Sequence, residues 1–138
     1  MTDRAATDWI RDAMPLCATL GVEALSAEPA EVVLVLRWAP ELCTTGGVLH
    51  GGALMALADS AGAACAYLNL PDGASATSTI ESGTHFLGRV SGGQVTARAR
   101  PLHAGRTTIV VETELTADDG RLVAKVTQAQ AVLADRRG

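Results

Sequence analysis

Residues 46–70 read GGVLHGGALMALADSAGAACAYLNL, and this stretch decides the fold. From Gly51 to about Leu70 nothing interrupts a helix, and Pro71-Asp72-Gly73 end it. Alanine, leucine, glycine, methionine and cysteine occupy nearly every side of it, and Asp59 is its one charge. Asp59 and the many small residues make it a poor membrane span and a good buried helix. A helix that is apolar nearly all round must be covered on nearly all sides.

The flanks say what covers it. Downstream the chain is all strand and turn. Residues 76–87 form one strand and Gly92-Gly93 a turn, and the QVTARARPL and TTIVVETEL runs alternate apolar and polar residues. His103-Ala-Gly-Arg106 and Asp118-Asp119-Gly120 read as hairpin turns, and 121–133 as the last strand. Upstream, Trp9, Ile10, Ala13, Leu16, Cys17 and Leu20 recur at helical spacing, with Thr7 and Asp8 as caps. Pro15 breaks that helix near Met14, a short second turn follows, and Gly21 stops it. Residues 22–28 and 31–38 read as strands, 39–49 as a loop, and Asp135 to Gly138 as a frayed tail. The economical arrangement is an α+β fold, a curved antiparallel sheet wrapped around one long central helix.

The 138 residues make one domain, 1–138, long enough to bury a core without staples. Fifteen acidic against eleven basic residues give a net charge of −4, which argues against nucleic acid or an anionic membrane as partner. Cys17, Cys43 and Cys65 are too few and too scattered for a disulfide framework, no metal-ligand spacing is present, and the polar N-terminus has no signal-peptide core. The expectation is a reduced, cytoplasmic protein without metal or cofactor.

Chemistry concentrates in Gly46 to Asp59. A lone carboxylate on an apolar helix either sits at an exposed edge or faces a cleft, poised as nucleophile or general base. After His50, Gly51 and Gly52 leave backbone N–H groups unshielded at a helix start, where they serve either a flexible entry or a carbonyl oxygen. Gly51 and Asp59 are eight residues apart, about 12 Å along a helix, so they cannot both reach one substrate carbonyl from one chain. If both act on one acyl group, two copies share each site, which predicts a symmetric dimer.

Gly47, His50, Gly51, Gly52, Ala58 and Asp59 form a G-x-x-H-G-G…A-D series that resembles the hotdog-fold acyl-CoA thioesterases. The likeness is closest to the 4-hydroxybenzoyl-CoA thioesterase superfamily in its phenylacetate-pathway-like branch. It covers about Leu16 to Leu133 and includes the THFLGRV strand end and the HAGRTT hairpin. The resemblance implies that Asp59 attacks the thioester carbon or activates water, that the Gly51 N–H polarises the carbonyl, and that His50 shapes the helix entry. It puts Thr79, or its neighbour Ser78, where relatives carry a hydroxyl that positions water. Relatives often have Asn or Gln where Thr44 stands, and an Arg-Pro pair near Gly88-Arg89-Val90.

Arg89 and Arg106 are candidates for the phosphates of coenzyme A, since a guanidinium offers a planar fork of donors. His85 and His103 are weaker candidates near a ligand. Arg98 and Arg100 read as a solvated face, Cys65 and Met55 as core. Cys43 lies in a loop near the proposed site, with no base beside it in sequence. The function implied is hydrolysis of an acyl-CoA, an aryl- or arylacetyl-CoA among the options, by a homodimer or a dimer-of-dimers tetramer. The alternative is a binding protein for an acyl-CoA or another small ligand. A dehydratase or hydratase does not suit the spacing from HGG to AD.

Overall fold

A computed structural model describes residues 1–134; the tail Asp135 to Gly138 lies outside them. Ten elements follow one another: α1 Arg4–Ala13, α2 Pro15–Leu20, β1 Glu23–Glu28, β2 Glu31–Arg37, a 3-10 turn Pro40–Leu42, α3 Gly51–Leu68, β3 Ala74–Phe86, β4 Gln94–Ala104, β5 Thr108–Ala117 and β6 Leu122–Ala134. The strands form one antiparallel sheet in the order β1-β2-β4-β5-β6-β3. α3 packs against this sheet, as the apolar run from Gly51 requires.

Most strand ends differ from the sequence expectation by a residue or two, and two helix boundaries differ for local reasons. α1 starts earlier than Thr7 and Asp8, because the Asp3 carboxylate accepts the Ala6 N–H at 3.0 Å and caps it. Thr7 is buried instead: its hydroxyl donates to the Asp3 carbonyl at 2.8 Å and accepts the Ala24 N–H at 2.9 Å, which pins α1 to β1. α3 stops at Leu68 rather than Leu70. Asn69 folds its amide back to the Cys65 carbonyl at 2.8 Å and reaches the Pro29 carbonyl at 2.7 Å, tying the helix end to the β1–β2 turn. The Pro15 break and the Gly21 stop appear as expected, Gly21 in the left-handed conformation at φ +76°.

The core lies between α3 and the sheet. Leu54, Leu57, Ala58, Ala61 and Cys65 meet Leu34, Leu36, Val95, Ile109, Val111 and Leu115. Burying Leu57 alone contributes about 1.5–3 kcal/mol. One expectation needs correction: α3 is not covered on all sides. Gly52, Met55, Asp59 and Tyr67 form an exposed stripe along it. The strand beside that stripe, β3, is an edge strand bonded only to β6. The sheet covers one side of α3 and Trp9 of α1 lies over part of another, but among the described residues no strand lies beyond β3 at the sheet edge to cover the rest.

β3 carries a bulge. Thr79 pairs with Gln130 and Glu81 with Ala129, so Ile80 is the extra residue. It changes the phase of the strand. Thr77 and Thr79 face α3 before it, and Ser82, Thr84 and Phe86 after it.

Candidate active site

The entry to α3 is built from three residues with different tasks. His50 is the N-cap: its Nδ1 accepts the Gly52 N–H at 2.7 Å, so its proton sits on Nε2 in the neutral ring. A Cβ on Gly52 would meet that Nδ1 at 2.9 Å, which is why the cap needs glycine there. The Ala53 and Leu54 N–H groups both turn to the His50 carbonyl. Gly51 is left as the donor of this turn without a protein partner among the described residues. The Phe86 ring lies against it, and a Cβ on Gly51 would meet the ring at 3.2 Å. The sequence therefore presents one free N–H at a helix start, from Gly51 and not from Gly52.

Asp59 stands two turns further along α3, on the exposed stripe. Its Oδ1 accepts the Gln128 Nε2–H at 3.3 Å. Beside it, the Thr79 Oγ1 accepts the Gln130 Nε2–H at 2.7 Å. Both glutamines are 1% exposed and two residues apart on β6. Thr79 faces the helix, so the strand's alternation turns Ser78 to the opposite face. Of the two hydroxyls considered from sequence, the structure brings Thr79 to Asp59's side and removes Ser78 from it.

The other candidates scatter. Thr44 is exposed in the loop before α3, its N–H bonded to the Val48 carbonyl at 2.8 Å. Arg89 is exposed near the α3 entry, where the next residue, Val90, accepts the Leu49 N–H at 2.9 Å. Arg106 lies in the β4–β5 turn beside Pro71, Asp72 and Gly73, past the other end of α3. The ten residues of β5 separate these two ends, about 30 Å of strand, so one chain cannot bring Arg89 and Arg106 to one nucleotide. His103 belongs to the Arg106 end. His85, between Thr84 and Phe86, turns away from α3. Arg98 and Arg100 pair with Glu31 at 3.6 and 2.6 Å on the outer face, a solvated role as expected. Cys43 is half-buried, its thiol donating to the Ala39 carbonyl at 3.3 Å. Burial pushes the Cys17 thiol up and the Cys65 thiol up to about 11. Met55, expected in the core, is 43% exposed on the stripe. Among the described residues no three His, Cys, Asp or Glu side chains gather into a metal-binding group.

One turn beyond Asp59 on the same side of α3, at Ala63, a cavity of about 390 Å³ opens. Trp9, Met14, Tyr67 and Thr77 wall it, with the Trp9 and Tyr67 rings 6.0 Å apart and tilted by 44°. Trp9, Gln128, Gln130 and Phe86 were not singled out from sequence as site residues. The glutamines left a readable trace: in VTQAQAV they fall on the strand phase of Ala124, Val126 and Val132, where a polar amide is out of place.

Comparison with known proteins gives a consistent set of likenesses. The family described as "Thioesterase superfamily" matches residues 46–124. PA1618 of Pseudomonas aeruginosa is 39% identical over 94 residues, 67% of this chain and 65% of that one, slightly under two thirds of its length. The solved structure of a mutant of the thioesterase PA1618 superposes with a TM-score of 0.86 at 26% identity over 94% of each chain. A thioesterase family protein from Silicibacter pomeroyi gives 0.83 at 29% identity, covering 91% of this chain and 96% of that one. The proofreading thioesterase EntH of Cronobacter sakazakii is 40% identical over 75 residues, 54% of each chain.

Proposed function

The chain belongs to the thioesterase superfamily, and on that basis we propose that it hydrolyses an acyl-CoA to the free acid and coenzyme A. The observation that carries this reading is the pairing of one unpartnered N–H, at Gly51, with one carboxylate, Asp59, on the open stripe of the same helix. The N–H and the dipole of α3 polarise the thioester carbonyl and stabilise the oxyanion that forms on it. The Asp59 carboxylate attacks the carbonyl carbon or takes a proton from the attacking water, and the thiolate of coenzyme A leaves. The Thr79 hydroxyl accepts from Gln130, so its own proton is free to hold a water beside Asp59.

Eight residues of helix separate the two groups, so the reading requires a second copy of the chain. The face that a copy would cover is in place. Met55, Tyr67, Ile80, Phe86 and Leu87 are between 43% and 65% exposed on α3, β3 and the residue after it, and β3 offers the unpaired ladder of an edge strand. A two-fold axis there runs the helices antiparallel and sets Gly51 of one copy near Asp59 of the other. It also sets the Arg89 end of one copy beside the Arg106 end of the other, which one chain alone cannot do. The apolar cavity walled by Trp9 and Tyr67 fits the acyl group, and its two rings favour an aryl or arylacetyl chain.

The test is release of free thiol from a panel of acyl-CoAs of varied length and aromaticity. Hydrolysis of at least one is expected, and Asp59→Asn, which keeps the shape and removes the charge, lowers kcat by about a hundredfold or more. Binding of acyl-CoA without turnover, or wild-type kcat in Asp59→Asn, refutes the assignment.

A further inference from the structure

Gln128 breaks a rule of the strand that carries it. Ala124, Val126 and Val132 on its face of β6 are apolar, whereas Gln128 is 1% exposed. Its Nε2 donates to Asp59 Oδ1 at 3.3 Å. Its Oε1 is buried with no hydrogen-bond partner among the described residues, a standing cost to folding. The amide also requires a gap in α3. A Cβ on Gly62 would overlap Gln128 Oε1 and Cδ, so a helix interior carries glycine there despite its poor helix propensity. Two unfavourable choices on two elements have one shared result, a donor held against one oxygen of Asp59.

We propose that Gln128, seated in the gap left by Gly62, is the positioning residue for the Asp59 carboxylate. Asp59 is exposed and would otherwise sample several rotamers on a helix surface. The amide fixes one rotamer by engaging Oδ1 and leaves Oδ2, which has no protein partner among the described residues, to face the acyl group or water. The polarity is also set: an amide N–H can only donate, so the contact occupies a lone pair of Oδ1. Gln130 repeats the device one pair along the strand, donating to Thr79. The inference rests on the hydrolase reading above.

The experiment compares wild type with Gln128→Met, an apolar side chain of similar length, on the best acyl-CoA. A positioning role predicts a kcat lower by about tenfold to a hundredfold, a KM within about threefold, and a melting temperature equal to or above wild type because the orphaned amide oxygen is gone. A purely structural role moves melting temperature and leaves kcat per folded enzyme unchanged. Gly62→Ala is expected to lower both, since its methyl displaces the amide. Gly62→Ala combined with Gln128→Ala should recover the melting temperature, the new methyl filling freed space, and should not recover kcat. Wild-type kcat in Gln128→Met, or recovery of kcat in the double variant, overturns the proposal. Asp59→Asn measured alongside separates the two readings: if it is inactive while Gln128→Met runs at full rate, only the positioning role falls, and if it is active, both fall.

Discussion

Mixing two inactive variants tests the shared site most directly. One carries Asp59→Asn. The other carries Gly51→Pro, which deletes the one N–H of the α3 entry that has no partner among the described residues. The backbone tolerates proline there. Gly51 has no positive φ, it is the first residue of the helix, and His50 before it sits at φ −62° and ψ 136°, the extended conformation that a residue preceding proline adopts. The contact that must give is with the Phe86 ring, which is half-exposed and has room to turn. Each variant alone should retain about one per cent of wild-type activity or less, from loss of the base or of the oxyanion donor. When the two are unfolded and refolded together, random pairing makes about half the dimers mixed, each with one intact site of two, so about a quarter of wild-type activity should return. The assay is thiol release, with mixed dimers quantified by a tag on one variant and folding checked by circular dichroism. If mixed dimers form and activity stays at the level of the separate variants, the 12 Å argument is wrong and each site lies within one chain.

Arg89→Ala should raise KM for an acyl-CoA more than it lowers kcat, because a phosphate contact far from the reacting carbon contributes uniform binding. An acyl-pantetheine, which lacks the nucleotide, should be indifferent to the change; equal losses on both substrates remove Arg89 from the nucleotide site. Cys65 should make the fold sensitive to alkali. Burial holds its thiol at about 11 against an ordinary 9.0. Below pH 9 the thiol is protonated in both states, and between 9 and 11 only the unfolded chain ionises. Cys65 therefore contributes a loss of about 2–3 kcal/mol of stability as pH rises, and Cys65→Ala, which keeps the raised Cys17 thiol, should show a correspondingly smaller fall when urea midpoints at pH 8 and pH 11 are compared.

Much of the fold was legible because the elements carry period and punctuation together. Pro15, Gly21, Pro71 and the Asp118-Asp119-Gly120 turn end elements where the structure ends them, give or take two residues. The candidate site was legible where its residues are local. His50, Gly51 and Asp59 lie on one segment, and the helix periodicity alone sets their spacing. What escaped depends on residues far apart in the chain. Phe86 meets Gly51 across 35 positions of sequence and Gln128 meets Asp59 across 69, and no local pattern encodes either pair. The uncovered stripe was hidden for a different reason. An alanine-rich helix looks equally apolar on all sides, and only the strand order shows which side the chain leaves open.

The extra residue in β3 also limits how the chain can change in length. Side chains of a strand alternate, and Ile80 is the place where the alternation slips by one. Thr79 and Phe86, one odd and one even, face the same helix only because of that slip. Losing a single codon between them would put the two halves of the strand in one phase. Either Phe86 would leave the α3 entry or Thr79 would leave Gln130, although every remaining residue would still be suited to a strand. Between Thr79 and Phe86, β3 keeps both contacts only if residues are gained or lost in pairs.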